Sequence, residues 1–159
     1  MGASAQAVAA ATAGAGAPSQ VWLPGITPDD IQFLVANVTG LASTNVNGSS
    51  SIQIDNGYDF YWVALTHQAD LAGAVQTESS RVIPLVTVLI NDSSASRNLA
   101  NNPTPLETLS GTGEFPYRLI RPRLFPANTV ITFTWVSYVA SGTTYSNLYH
   151  LLHGYRIRK

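Results

Sequence analysis

The chain has 159 residues, a formal net charge of −1 and 11% charged residues, where an average soluble domain has roughly 25%. That length suits one domain with a sizeable core, or one domain plus an arm. The absence of cysteine excludes disulfides, thiolate metal sites and cysteine nucleophiles, the near-neutral charge argues against a nucleic-acid binder, and no apolar run is long enough for a membrane-spanning helix.

The charge deficit admits two readings. Partners cover much of the surface, or a Ser/Thr/Asn-rich surface is solvated without Lys and Glu. Charge is also uneven along the chain: six acids and no base precede Arg81, whereas eight bases and three acids lie from Arg81 onward.

Residues 1–24 read as an N-terminal arm dominated by Ala, Gly, Ser and Thr, and 25–159 as the folded domain. The arm lacks the basic start and bulky apolar core of a secretory signal. Ordering about 20 such residues costs on the order of 20–40 kcal/mol of backbone entropy, which small side chains on a lone domain do not offset. An ordered arm is therefore expected to lie against a neighbouring subunit or another protein, with Trp22 in Val21-Trp22-Leu23-Pro24-Gly25 as its anchor.

Thr27-Pro28-Asp29-Asp30 has the signs of a helix start: a cap, Pro at the first position and acids facing the dipole. Ile31 to Val38 suits either a short helix or a strand. Gly40 to Ser51 reads as loop with at most one edge strand. Ile52 to Ile54, Asn56-Gly57 and Tyr58 to Thr66 give a hairpin signal, because Asn-Gly tolerates the positive φ of a tight turn. Along the second strand Phe60, Trp62 and Ala64 share one face, and Tyr61, Val63 and Leu65 the other. Both faces are apolar, so both are expected to be covered.

Val82 to Ile90 is a further β-rich run, with Pro84 near its start. Asn91 to Gly113 is a long polar connection. From Thr129 the residues alternate: Val130, Thr132, Thr134 and Val136 on one side, Ile131, Phe133 and Trp135 on the other. A last run extends from Tyr145 to Ile157, and these two final runs are expected to pair as antiparallel neighbours. Strands at this spacing with little helix predict an all-β protein, a jelly-roll-like two-sheet antiparallel β-sandwich with an extended N-terminal arm.

Catalytic signatures are missing. His150 and His153 are an odd number of residues apart and point to opposite faces of a regular strand, and His67 is distant in sequence. Asp55 to Asp59 resembles the start of a calcium loop, but Thr66 stands where that loop needs Glu. No phosphate loop or nucleophile elbow is present. The chain is expected not to be an enzyme and to hold no metal or cofactor. Arg118, Arg121 and Arg123, with Arg156, Arg158 and Lys159, form the notable basic group. With Tyr117 and Tyr155 nearby, they read as a protein interface, an ordinary surface or a polyanion site. The candidate interface residues are Trp22, Arg118, Arg121, Arg123, Arg156 and Arg158. An alternative function is a carbohydrate- or receptor-binding module of a tail fibre or secreted protein, with Trp62 and Trp135 as a sugar platform.

One stretch carries a family resemblance. An Arg-rich strand before Leu124-Phe125-Pro126-Ala127-Asn128, an apolar strand, and a closing His153-Gly154-Tyr155-Arg156 strand resemble the small β-sandwich decoration, or cement, proteins of tailed-phage heads. The resemblance spans roughly Ser51 to Lys159. It implies a structural virion protein on the outside of the head. Its partners would be the major capsid protein and other copies of itself, as a dimer or trimer. It would sit in the host cytoplasm during assembly; no membrane partner is expected, and the net charge and single Lys argue against nucleic acid.

Overall fold

The computed structural model describes residues 31–42, 47–72, 82–140 and 142–158. The arm with Trp22, the helix start at Thr27 to Asp30, Arg81 and Lys159 lie outside the described residues.

In chain order the elements are β1 (Ile31–Ala42), β2 (Asn47–Gln53), β3 (Tyr58–Leu71), β4 (Val86–Asp92), β5 (Arg97–Asn98), β6 (Thr104–Pro105), the single turn α1 (Leu106–Leu109), β7 (Tyr117–Phe125), β8 (Val130–Ser137) and β9 (Thr144–Arg158). One sheet has the order β1-β9-β3-β7. The other has the order β2-β8-β4-β5, with β6 also paired to β4. The two pack face to face as the expected all-β sandwich, and all strand pairings are antiparallel. Early and late strands alternate across the first sheet and from β2 to β4 across the second, as in a jelly roll.

Ile31 to Val38 belongs to a strand, not a helix. Its β-branched and aromatic residues alternate in burial, with Leu34 and Ala36 inside and Phe33 and Val35 outside. Gly40 to Ser51 is less of a loop than expected: β1 continues to Ala42, and the edge strand β2 begins at Asn47. The run from Val82 becomes a strand only at Val86, beyond Pro84, whose missing N–H keeps it out of the ladder. In β8 the period-two pattern is complete: Ile131, Phe133 and Trp135 are buried and their neighbours are half-buried.

Two expected strand pairings do not occur. Ile52 and Tyr58 flank a turn at Asn56-Gly57, but β2 pairs with β8 and β3 with β7 and β9, so the chain changes sheets there. Neither Asn56 nor Gly57 has the positive φ of a primed hairpin turn. Likewise β8 and β9 are not neighbours. Tyr138 N–H donates to Leu85 O and Thr143 N–H to Ala140 O as the chain passes from one sheet to the other.

The expected facing of β3 also changes midway. Trp62 lies opposite Gly154 and Ala64 opposite His153, so two steps of β3 match one of β9. This bulge at Val63 reverses the parity of everything after it. Leu65 therefore joins Phe60 and Trp62 in the core, and Ala64 turns to the outer face.

The core centres on Phe60, Phe125, Phe133, Trp135, Leu148 and Leu152, each fully buried. Burying one such side chain contributes about 1.5–3 kcal/mol. Gly154 allows the tightest approach: a Cβ there would collide with the Tyr61 carbonyl oxygen and come within 2.6 Å of the Phe60 ring. A Cβ at Gly57 would meet nothing within 4 Å. Gly154→Ala is therefore expected to destabilise the domain by about 1–3 kcal/mol through overpacking, and Gly57→Ala to leave it nearly unchanged. Urea denaturation of the two variants checks both; a large loss at Gly57 would restore the primed hairpin turn.

Candidate functional site

The arginines do not form one cluster. Arg118 lies on the outer face of the β1-β9-β3-β7 sheet, opposite Ala64. Arg121 and Arg123 line a cleft at the β7 edge. Arg156 and Arg158 lie at the far end of β9, where the Arg156 guanidinium stands 6.0 Å from the Tyr58 ring centroid. Linear spacing grouped them; the outward excursion of β7 splits the first three, and β3 lies between β7 and β9 in the same sheet.

The outer face of the β1-β9-β3-β7 sheet is built in rows by the strand register. Ile31, Tyr155, Tyr61 and Leu124 form the first row, and Phe33, His153, Ala64 and Arg118 the second. Val35, Leu151 and Thr66 form the third. The next rows turn polar, with Asn37, Tyr149 and Gln68, then Thr39, Asn147 and Asp70. At the apolar end Phe33 is 56% exposed and Val35 49%, so the β1 side of this face is open, whereas Ala64 and Thr66 on β3, the strand expected to be covered on both faces, are buried. A groove of about 500 Å³ runs through it beside Phe33, Ala64, Arg118 and Tyr155. His153 is fixed there by a hydrogen bond with Thr66 Oγ1 at 2.8 Å and by a T-shaped contact with Phe33, the ring centroids 5.0 Å apart.

A second concavity opens between the sheets at the β7 edge. Arg118 pairs opposite Ala64 and Arg123 opposite Trp62, so Leu119 to Pro122 stand against Val63 alone. The surplus bows outward, Ile120 is 97% exposed, and Pro122 falls where no ladder hydrogen bond is needed. Behind the bow lies a cleft of about 630 Å³ with Trp62, Val88, Ile90 and Leu99 in its wall. Arg123 Nη2 donates to Asp92 Oδ2 at 2.8 Å, and Ser94 N–H and Oγ donate to Asp92 Oδ1 at 2.9 and 2.6 Å. Burial pushes the Asp92 carboxyl upward, but its bonds to Ser94 and Arg123 outweigh that and hold it below the usual range. Arg97 and Arg121 also line this cleft, and neither has an ion pair among the described residues.

His150 and His153 face opposite sides of β9, as their spacing requires. His150 lies in the core opposite His67, with the Phe133 ring at 5.1 Å, and neither ring nitrogen has a hydrogen-bond partner among the described residues. His67 Nδ1 donates to Ser110 O at 2.9 Å. Among the described residues no three His, Asp or Glu side chains converge. The Asp55 to Asp59 segment is occupied structurally, since Asp59 Oδ1 accepts the Ala127 N–H at 2.8 Å. Trp62 and Trp135 do not form a sugar platform: both are buried, stacked on Phe125 and Phe133 at 6.0 and 5.7 Å. The apolar face of β1 and the β7 cleft had no signal in sequence, because each depends on register between distant strands.

Compared with family models, curated proteins and solved structures, the chain matches none of them.

The buried histidine predicts acid sensitivity. Burial, aided by the nearby His67, pushes His150 from 6.5 down to about 3. An unfolded chain takes up this proton near pH 6.5, so it binds more protons than the fold between those values. Stability is then full above pH ~7 and falls on acidification by up to about 1.4 kcal/mol per pH unit for this group. His150→Met is expected to flatten that slope, leaving the contributions of His67 and His153, also lowered chiefly by burial. Urea midpoints at pH 7, 6, 5 and 4 measure it; an unchanged slope would exclude His150 as the source.

Proposed function

We propose that this chain is a structural virion protein, a decoration or cement protein that binds the outside of a phage head and has no catalytic role. The observation that carries this reading is the open apolar end of the outer sheet face, with Ile31, Phe33 and Val35 exposed on one edge strand. Contiguous exposed apolar side chains on a sheet face fit a protein-docking surface better than solvent. Arg118 at the rim supplies a donor suited to carboxylates on a neighbour. The scarcity of charge over the whole chain and the resemblance of Ser51 to Lys159 to phage cement proteins point the same way. In this reading the major capsid protein and other copies of the chain meet that face. Each copy adds binding free energy that is lost only when the shell opens.

Sedimentation of purified chain with empty heads of the virus that encodes it tests this. The wild type is expected to co-sediment, and Phe33→Asp with Val35→Asp to reduce occupancy by about tenfold or more while leaving a folded domain. These side chains are exposed, so the change spares the core. Undiminished decoration by the double variant, or none by the wild type, would overturn the reading.

A further inference from the structure

The cleft at the β7 edge borders the docking face at Leu119 and Leu124 but has a different chemistry. Its volume of about 630 Å³ lies within the range of small-molecule sites, roughly 300–1,000 Å³. Trp62, Val88, Ile90 and Leu99 form an apolar wall. Around it are three guanidinium groups, Arg97, Arg121 and Arg123, against one carboxylate, Asp92. Asp92 is buried and engaged by Arg123 and Ser94, so its charge is already matched. Arg97 and Arg121 stay exposed without an ion pair among the described residues, and Arg123 Nε is a buried donor with no partner among them. An apolar wall beside surplus guanidinium charge and an unused donor suits an anion with an apolar body.

We propose that this cleft binds a small amphipathic carboxylate, its apolar part against Trp62 and Leu99 and its carboxylate held by Arg97 and Arg121. Guanidinium groups favour the carboxylate because its oxygens accept paired N–H bonds at fixed spacing. The Arg123–Asp92 pair acts as a positioning element. It ties β7 to β4 at the base of the bow and so keeps the mouth at Leu119 to Pro122 in place.

Decanoate, decyl alcohol and acetate titrated into the full ¹⁵N-labelled chain test the proposal by NMR. Decanoate is expected to bind saturably, shifting the Trp62 indole N–H and the Leu99 amide. Decyl alcohol, which keeps the tail without the charge, and acetate, which keeps the charge without the tail, should each bind at least about tenfold more weakly. Arg97→Gln with Arg121→Gln, both exposed positions, should weaken decanoate by about tenfold or more and leave decyl alcohol unchanged. The idea fails if no saturable shift occurs at Trp62 and Leu99, if alcohol and acid bind equally, or if decanoate shifts only Phe33 and Tyr155 on the outer face. The outcome is independent of whether the chain binds heads.

Discussion

Strand β9 is hydrogen-bonded along both edges, to β1 from Tyr155 back to Thr144 and to β3 from Arg158 back to Tyr145. The rest of the molecule depends on that double pairing. Its inward residues Leu148 and Leu152 are fully buried, and Gly154 lets β3 and the Phe60 ring close against it. Such long-range pairing forms only after distant segments meet, so loop-closure entropy opposes it until the apolar faces are covered. The stability of the sandwich therefore rests on the fit between β9 and its neighbours more than on any local turn.

The same pairing decides which surfaces the molecule offers. Because β9 separates β1 from β3, every second residue of three strands falls into common rows on the outer face. Those rows place Phe33, Val35 and Leu151 together at one end and amides and hydroxyls at the other. An apolar patch confined to one end gives a docking face a direction as well as an affinity. His150, on the inner side of the same strand, carries into the core two nitrogens without a partner among the described residues, so the strand that presents the outer face is also the acid-sensitive one.

The β7 edge shows how a local irregularity makes a cavity. Four residues opposite one cannot lie flat in a ladder, so the strand bows and the sheets part beside it. The exposed bow, with Ile120 outermost and Pro122 lacking an N–H, also blunts an edge that would otherwise template pairing with another chain. Arg123 and Asp92 close the base of the bow with a short ion pair whose acidic partner is out of water.

Short-range pattern was enough to read the long strands from Tyr58 onward, but it left Ile31 to Val38 open between helix and strand and read Asn91 to Gly113, which holds β5, β6 and α1, as a connection. Alternation in Ile131, Phe133 and Trp135 names the buried face of β8 without any knowledge of its neighbours, because side-chain direction in a strand has a period of two. The opposed faces of His150 and His153 followed from the same rule. Pairing did not follow. Asn56-Gly57 and the turn after Tyr138 look like hairpin turns, yet in this sandwich each carries the chain to the other sheet, and only packing between residues far apart in sequence can choose that. The bulge at Val63, which sends Leu65 inward, and the dispersal of Arg118, Arg121, Arg123, Arg156 and Arg158 belong to the same class. Local residue order specifies which way a side chain points along its own strand; which strand lies beside it, and hence which side chains share a face or a cleft, is set by burial summed over the whole chain.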